Sequence, residues 1–365
     1  MGNDDNALIL QLLRISIGRS QRLSRIPSQM EWKELFAMAV RQGITTFAFV
    51  GVERLPADQR PPFDVMMDWV AVADYVERRN RKLNAICVKV YEAFCKEGKK
   101  VCVLKGQGMS VLYPFPLRRD CGDIDLWMIG GKEKVEKYVF AKFDGADEGD
   151  GSHHVSFVED DVEIEVHYMP TALYNPLHHR KLNSFFRMIG DASWDTCIQL
   201  PENAGRIVVP NIEFNLVFIL VHMFHHWAFE GCGMKQLMDY FWLLEREKVS
   251  EDMKEKVRAQ LNNMGLWHFL SAVMYIFELL GMEKKNMLCA PDRRLGKKLW
   301  ADILAVGLVT ADDLAVGRFS DEGKSAKFMR RLLRMWRLLP LAPNELPWVL
   351  AKSVVTWIRW NVIKK

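Results

Sequence analysis

The sequence predicts an α+β protein, a small mixed β-sheet held between extensive α-helical regions. Three observations carry this. Side chains that alternate apolar and polar with the two-residue period of a strand are concentrated between residues 101 and 168. The chain on either side reads with the three-to-four-residue spacing of amphipathic helices. The 365 residues, free of internal repeats and low-complexity linkers, suffice for two or three domains with a substantial core. The expected boundaries are 1–98 for an N-terminal helical region, 99–190 for the sheet-bearing core and 191–365 for a C-terminal helical region.

Taken in order, Leu8, Leu10, Leu12, Leu13 and Ile15 mark a first helix, and Trp32, Leu35, Phe36, Ala39 and Val40 a second. Pro61-Pro62 separates these from a long helix over Phe63 to about Glu97, with Met66, Met67, Val70, Ala73, Val76, Leu83, Ile86, Val90 and Phe94 near one face as core. Gly98 ends it. Val101 to Leu104 is a short buried strand feeding the glycine-rich, basic turn Lys105-Gly106-Gln107-Gly108. One or two helical turns fit Met109 to Tyr113 before Pro114 and Pro116 force an extended path. A second strand follows at Cys121 to Met128, then a helix at Lys132 to Phe143.

Asp144 to Gly151 is acidic without the alternate-position spacing of a calcium loop, so it reads as a solvated loop. Val155–Val158 and Val162–Tyr168 make a hairpin around Glu159-Asp160-Asp161. Residues 175–186 read as irregular, and 191–209 hold short apolar runs suited to extended chain. Helices are expected over 213–228, 234–247, 250–264, 267–280, 294–308 and 324–338, the first two joined by Gly231-Cys232-Gly233.

Fifty Lys and Arg against 46 Asp and Glu leave a net charge of +4, too small for a dedicated nucleic-acid binder. Seven scattered cysteines without a Cys-x-x-Cys pair indicate neither a disulfide framework nor a thiolate zinc site, and suggest a reducing cytoplasm. The acidic start Met1-Gly2-Asn3-Asp4-Asp5 lacks the features of a signal peptide, and Asn6 fails the myristoylation pattern. No uncharged apolar run of about 18 residues predicts a transmembrane helix.

The chemistry concentrates in the centre. In a strand, Asp123 and Asp125 emerge on one face while Ile124 and Leu126 pack on the other. At about 4 Å two such charges repel by roughly 4 kcal/mol at an effective dielectric near 20. A divalent cation offsets that cost. Asp161 to Tyr168 alternates in the same way and puts Glu163, Glu165 and His167 on one face, so either glutamate can supply a third acid. A glycine turn carrying Lys105 lets backbone N–H groups and an ammonium approach a phosphate.

Read together, Leu104-Lys105-Gly106, Leu112-Tyr113-Pro114, Pro116, Arg119, Gly122-Asp123-Ile124-Asp125-Leu126, His154 and Glu165-Val166-His167 resemble the bacterial uncharacterised nucleotidyltransferase family, within the superfamily that includes DNA polymerase β. A weaker match runs through His222, His225, Gly231, Gly233, Lys235, Gln236 and Asp239. The resemblance implies a nucleotidyltransferase core that moves a nucleoside monophosphate from a triphosphate such as ATP to a hydroxyl acceptor. It implies Asp123, Asp125 and Glu165 as catalytic acids and ligands of two magnesium ions, with Glu163 the rival third acid.

It also implies a nucleotide site of Lys105, Gly106, Gly108, Arg119, His167, Lys235 and Asp239, in which Lys105 and Arg119 meet the triphosphate and His167 orients Glu165 or meets the acceptor. A small molecule, a sugar, a protein or a tRNA end remain open as acceptors. Two departures stand out, Lys-Gly-Gln-Gly where the superfamily has Gly-Gly or Gly-Ser, and Lys235 where arginine is expected.

His222, His225 and His226 are spaced to share a helix face, but Met223 occupies the position where His-Glu-x-x-His needs glutamate, so they are expected to line the cleft opposite the acids or to satisfy buried partners. Arg318, Lys324, Lys327, Arg330, Arg331, Arg334 and Arg337 form a basic run that reads as a solvated face in preference to an RNA or anionic-surface contact, and Trp348, Trp357 and Trp360 are expected to anchor the last helix in the protein's own core or at a partner. A second functional class uses that face, a catalytically silent binding or scaffold protein that keeps the fold.

Overall fold

Helices open the chain, and glycine and serine chemistry sets their ends. The computed structural model describes residues 7–148, 153–189, 194, 196–229, 231–306 and 324–358. Helix α1 (Leu8–Ile17) stops at Gly18, whose left-handed φ of 90° suits glycine. Helix α2 (Gln29–Arg41) starts on a capping box in which the Ser28 side chain accepts from the Glu31 N–H and Glu31 reaches back to Ser28. Helix α3 (Thr45–Arg54) lies so close to α1 that a Cβ on Gly51 would stand 2.6 Å from the Leu12 carbonyl oxygen. Helix α4 (Phe63–Lys96) runs for 34 residues. Its buried stripe starts from Val65 and Trp69; Met67 and Val70, expected in the core, are 46% and 39% exposed.

The expected mixed sheet is present. Strands β1 (Val101–Leu104), β2 (Ile124–Met128), β3 (His154–Glu159) and β4 (Val162–His167) lie in the order β1-β2-β4-β3. The β1/β2 and β3/β4 pairs are antiparallel and β2/β4 is parallel. The β3–β4 hairpin turns on Asp160 and Asp161, both at positive φ, as a tight two-residue connection requires. Helix α5 (Gly106–Ser110) follows β1 directly, and α6 (Lys132–Lys142) follows β2. Of the acidic loop, residues 149–151 lie outside the described residues.

Both faces of the sheet are covered, which is why all five residues of β2 are buried, Asp125 included. One face, with Val101, Val103, Ile124, Leu126, Ile164 and Val166, packs on Leu83, Cys87 and Phe94 of α4 and on Val135 and Val139 of α6. The other face turns Cys102, Leu104 and Trp127 into a larger apolar cluster shared by the helices before and after the sheet.

Residues 175–186, expected to be irregular, fall almost entirely within a helix, α7 (Pro176–Ile189). Its many polar residues hide a stripe of Leu182, Phe185 and Phe186, and Pro176 suits a first helical turn. Strands β5 (Thr196–Gln199) and β6 (Arg206–Val209) make the extended pair expected there, and Leu200, Ile207 and Val209 join the sheet's own cluster. Then come α8 (Ile212–Phe229), α9 (Met234–Arg246), α10 (Glu251–Asn263), α11 (Trp267–Leu280), α12 (Arg293–Val306), α13 (Lys324–Leu338) and α14 (Leu346–Ile358). Trp127 ties sheet to helices. Its ring centroid lies 5.3 Å from that of Phe214 and 4.9 Å from that of Trp194. Each such pair contributes about 0.5–1.5 kcal/mol beyond burial.

In the basic run Arg318 lies outside the described residues, whereas Arg334 is drawn inward and grips the buried Asp302 with Nε at 3.0 Å and Nη2 at 2.7 Å. Trp348 is 46% exposed, and Trp360 lies outside the described residues.

Candidate active site

The parallel register decides which acids meet. Pairing of β2 with β4 sets Asp125 level with Glu165 and Trp127 level with His167. Glu163 falls one two-residue step earlier on β4, opposite Val158 of β3. Because β2 and β4 pack their aliphatic residues against α4 and α6, the alternation of a strand sends Asp125, Glu165 and His167 to the other face, toward α8 and α9. One ligand atom from each of these three lies within 4.8 Å of the others.

Asp125 is the hub. Its Oδ1 lies 2.7 Å from Lys105 Nζ and 2.8 Å from His167 Nε2, and the same Nε2 is 3.1 Å from Glu165 Oε2. Burial alone would raise the Asp125 carboxyl, but the Lys105 ammonium and the His167 hydrogen bond together hold it well below the usual carboxylate range. Its neighbour Asp123 moves the other way, raised first by the Asp125 charge and then by burial. Glu163 is raised by burial, then by Glu165 and Asp123. Burial opposes charge on Lys105 and His167, yet Asp125 and its fellow acids keep both more basic than usual. Clustered carboxylates that pull one ammonium and one imidazole onto a single oxygen present the hard oxygen donors and the unmet negative charge that suit magnesium.

Lys105 reaches Asp125 at a backbone cost. It sits at φ 45°, ψ −132°, a conformation side-chain-bearing residues seldom adopt and one that costs on the order of 1–3 kcal/mol. Strain of this size survives where the surroundings over-determine it. Gly106 borders the cavity beside Asp123, where a Cβ would still be 3.7 Å from the Asp123 carbonyl oxygen. Gly108 has a packing reason instead, since a Cβ there would stand 3.0 Å from Val209 Cγ1 on β6.

Arg119 and Asp239 hold each other. The guanidinium donates from Nε to Oδ1 at 2.8 Å and from Nη2 to Oδ2 at 2.7 Å, while Tyr113 Oη donates to Oδ1 at 2.7 Å. Nη1 is spent on Cys121 Sγ, and Asn80 Nδ2 donates to the Leu117 and Arg119 carbonyls, fixing the approach to β2. Burial notwithstanding, Asp239 keeps Arg119 firmly protonated. Lys235, at the start of α9, has its backbone N–H on the Gln42 carbonyl and borders the same cavity.

Two cavities meet at Lys105, Asp123, His222 and His226. The first, of about 230 Å³, is bounded by Gly106, Gly122, Arg119, Lys235 and Asp239 and is the cation-rich side. The second, of about 580 Å³, is bounded by Glu163, Glu165, His153, His154, Asp147 and Glu148. The α8 histidines face the acids as expected. His222 and His226 approach Nε2 to Nε2 at 3.1 Å, and His225 Nδ1 meets the Ala172 carbonyl at 3.2 Å. Burial, then the Lys105 charge, keeps His222 neutral. Sequence reasoning missed His153, Asp147 and Glu148. The acidic composition of 144–151 concealed the last two, while His153 stands beside a histidine already singled out.

The fold and site define a class: an α+β protein whose sheet carries a carboxylate pair and a level third acid under a lysine turn, in a cleft closed by helices. The chain matches the family described as "Uncharacterised nucleotidyltransferase" over residues 28–281, most of its length, and belongs to that family. No curated protein matches it. A solved structure, an antigenic nucleotidyltransferase-like protein from Paracoccidioides brasiliensis, is similar over 55% of this chain and 92% of its own at 10% identity and a TM-score of 0.32, a likeness too distant to carry an argument.

Proposed function

We propose that this chain is a magnesium-dependent nucleotidyltransferase of the polymerase β-like superfamily that moves a nucleoside monophosphate from a triphosphate to a hydroxyl acceptor. The observation that carries the reading is the buried meeting of Asp125, Glu165 and Lys105 beside Asp123, in a family of nucleotidyltransferases. Asp123, Asp125 and Glu165 would hold two magnesium ions, which when bound supply charge neutralisation for the phosphates and lower the cost of deprotonating the acceptor.

The chain's own residues divide the remaining work. The 230 Å³ side, with Lys105, Lys235 and the backbone of Gly106, receives the triphosphate. Its counter-chamber receives the acceptor. In the transfer the acceptor oxygen bonds to the α-phosphorus, the bond to pyrophosphate breaks, and the acceptor proton passes to Glu165, which is 19% exposed against 3% for Asp125. His167 holds Asp125 and Glu165 together from beneath. Arg119 positions Asp239 and the lead-in to β2, and reaches phosphate only if that pair opens.

The test is incubation with each α-labelled triphosphate, magnesium and cell extract, followed by identification of the labelled product. Transfer that needs magnesium supports the reading. Magnesium-dependent nucleotide binding with no transfer would return the scaffold alternative. Among the described residues no helix is long and apolar enough to cross a membrane.

A further inference from the structure

Beside the carboxylates stands a second donor set with a different chemistry. His154 is the cross-strand neighbour of His167 in the β3/β4 pair, and the His153 carbonyl accepts from the Tyr168 and Met169 N–H groups at the end of β4. The three rings form a near-equilateral triangle, with centroids 5.2 Å apart for His153–His154, 5.1 Å for His153–His167 and 5.2 Å for His154–His167. One ring nitrogen from each lies within 4.8 Å of the others, and all three residues are buried. Tetrahedral zinc with Zn–N bonds of about 2.0–2.1 Å needs nitrogens roughly 3.4 Å apart, so the rings would have to close on the ion as it binds.

The hydrogen bonding points the same way. Nδ1 of His154 and Nδ1 of His167 are buried with no hydrogen-bond partner. A buried imidazole nitrogen left unpaired is destabilising, and a metal ion that takes the place of its proton satisfies it. His167 already has the arrangement of a ligating histidine, because its Nε2 rests on Asp125 and Glu165, and a carboxylate behind the far nitrogen orients such a ring and raises its basicity.

We propose that His153, His154 and His167 form a binding site for a borderline divalent cation of the zinc class, separate from the hard-cation positions on Asp123, Asp125 and Glu165. Imidazole selects zinc, cobalt or nickel over magnesium. Three protein ligands leave the fourth position open, as in sites where zinc presents a Lewis acid to substrate. His153 and His154 border the 580 Å³ chamber from which a substrate would reach that position, and Glu165, with Oε2 3.7 Å from His154 Nδ1, borders it too.

Two measurements test this, and neither depends on nucleotide transfer. Zinc is titrated calorimetrically into the full chain in excess magnesium. The expected result is one tight equivalent, weakened in His153→Ala and in His154→Ala by more than the roughly 10- to 100-fold that loss of a group hydrogen-bonded behind a ligand costs, and kept in Asp123→Asn. Displacement of zinc by magnesium, or equal affinity in the histidine variants, overturns the proposal. Cobalt(II) added to the unmutated chain gives a check that no variant's folding can confuse. Intense visible absorption of a four-coordinate nitrogen site is expected, and the pale spectrum of six-coordinate cobalt overturns the proposal. A chain that binds zinc in this way and transfers no nucleotide keeps this inference and loses the catalytic one.

Discussion

Lys105→Met removes the one ammonium within ion-pair distance of Asp125 Oδ1 among the described residues, and leaves Asp123, Asp125 and Glu165 with the His167 imidazole as their adjacent cation. The pair is 2.7 Å long, with side chains 13% and 3% exposed, so solvent screens it little. Removing one partner of such a buried pair costs about 3–5 kcal/mol, and His167 places the expected loss near the lower figure. Methionine nearly conserves the volume and keeps the strained backbone, so neither cavity nor strain relief complicates the comparison. In urea unfolding with a chelator present, the variant should therefore lose roughly 3 kcal/mol.

Magnesium should return most of it. A ligand at a hundred times its dissociation constant stabilises by about 2.7 kcal/mol, and the variant's carboxylates no longer share their charge with an ammonium. The unmutated protein should respond less steeply to magnesium. A variant as stable as the parent in chelator, or one that magnesium leaves unchanged, would refute the idea that Lys105 stands in for a cation at these acids.

Arg119→Met should cost about 3–5 kcal/mol in urea unfolding because it strands Asp239 in a buried site, whereas Arg119→Met with Asp239→Leu should recover most of that loss; additive costs would contradict the closed pair. Gly51→Ala should destabilise by about 1–3 kcal/mol, since the new methyl meets the Leu12 carbonyl oxygen of α1, which cannot turn aside, as well as Ser16 Oγ, and an unchanged melting temperature would show that the two helices separate freely. His167 is more basic in the folded chain than its unfolded value of about 6.5, so the folded state binds the extra proton. Its stabilising contribution is complete below about pH 6.5 and fades as pH rises through the folded value, so metal-free stability should fall on the alkaline side and His167→Gln should flatten that limb; an equal slope in the variant would contradict the assignment.

The two strands that carry the acids were legible because alternation has an unambiguous period there. Asp123/Asp125 and Glu163/Glu165/His167 could be assigned to faces from the sequence alone. Register was not legible from alternation, since a shift of two residues preserves every face; the resemblance pointed to Glu165 over Glu163, and the β2/β4 pairing sets Glu165 level with Asp125. That Arg119 and Asp239 grip each other was not legible, because a pairing across 120 residues leaves no mark on local pattern; Asp239 shares its helix with the stripe Leu237, Tyr240 and Phe241. Helix α7 was obscured by its histidines, arginine, lysine and asparagine, which lower mean hydropathy without breaking the apolar spacing. Gly108, read as part of a phosphate-binding turn, also packs close to Val209, a contact that composition cannot show.

Turnover in three single variants decides whether Asp125 and Glu165 carry the transfer, with labelled triphosphate, saturating magnesium and the acceptor that the labelling experiment identifies. Asp125 and Glu165 are level across β2 and β4, while Glu163 is a step away. Asp125→Asn and Glu165→Gln should each lower kcat by orders of magnitude with a modest change in triphosphate binding, the mark of groups that act in the transition state. Glu163→Gln should retain most of the activity. A dead Glu163→Gln enzyme beside an active Glu165→Gln enzyme would contradict the site as described.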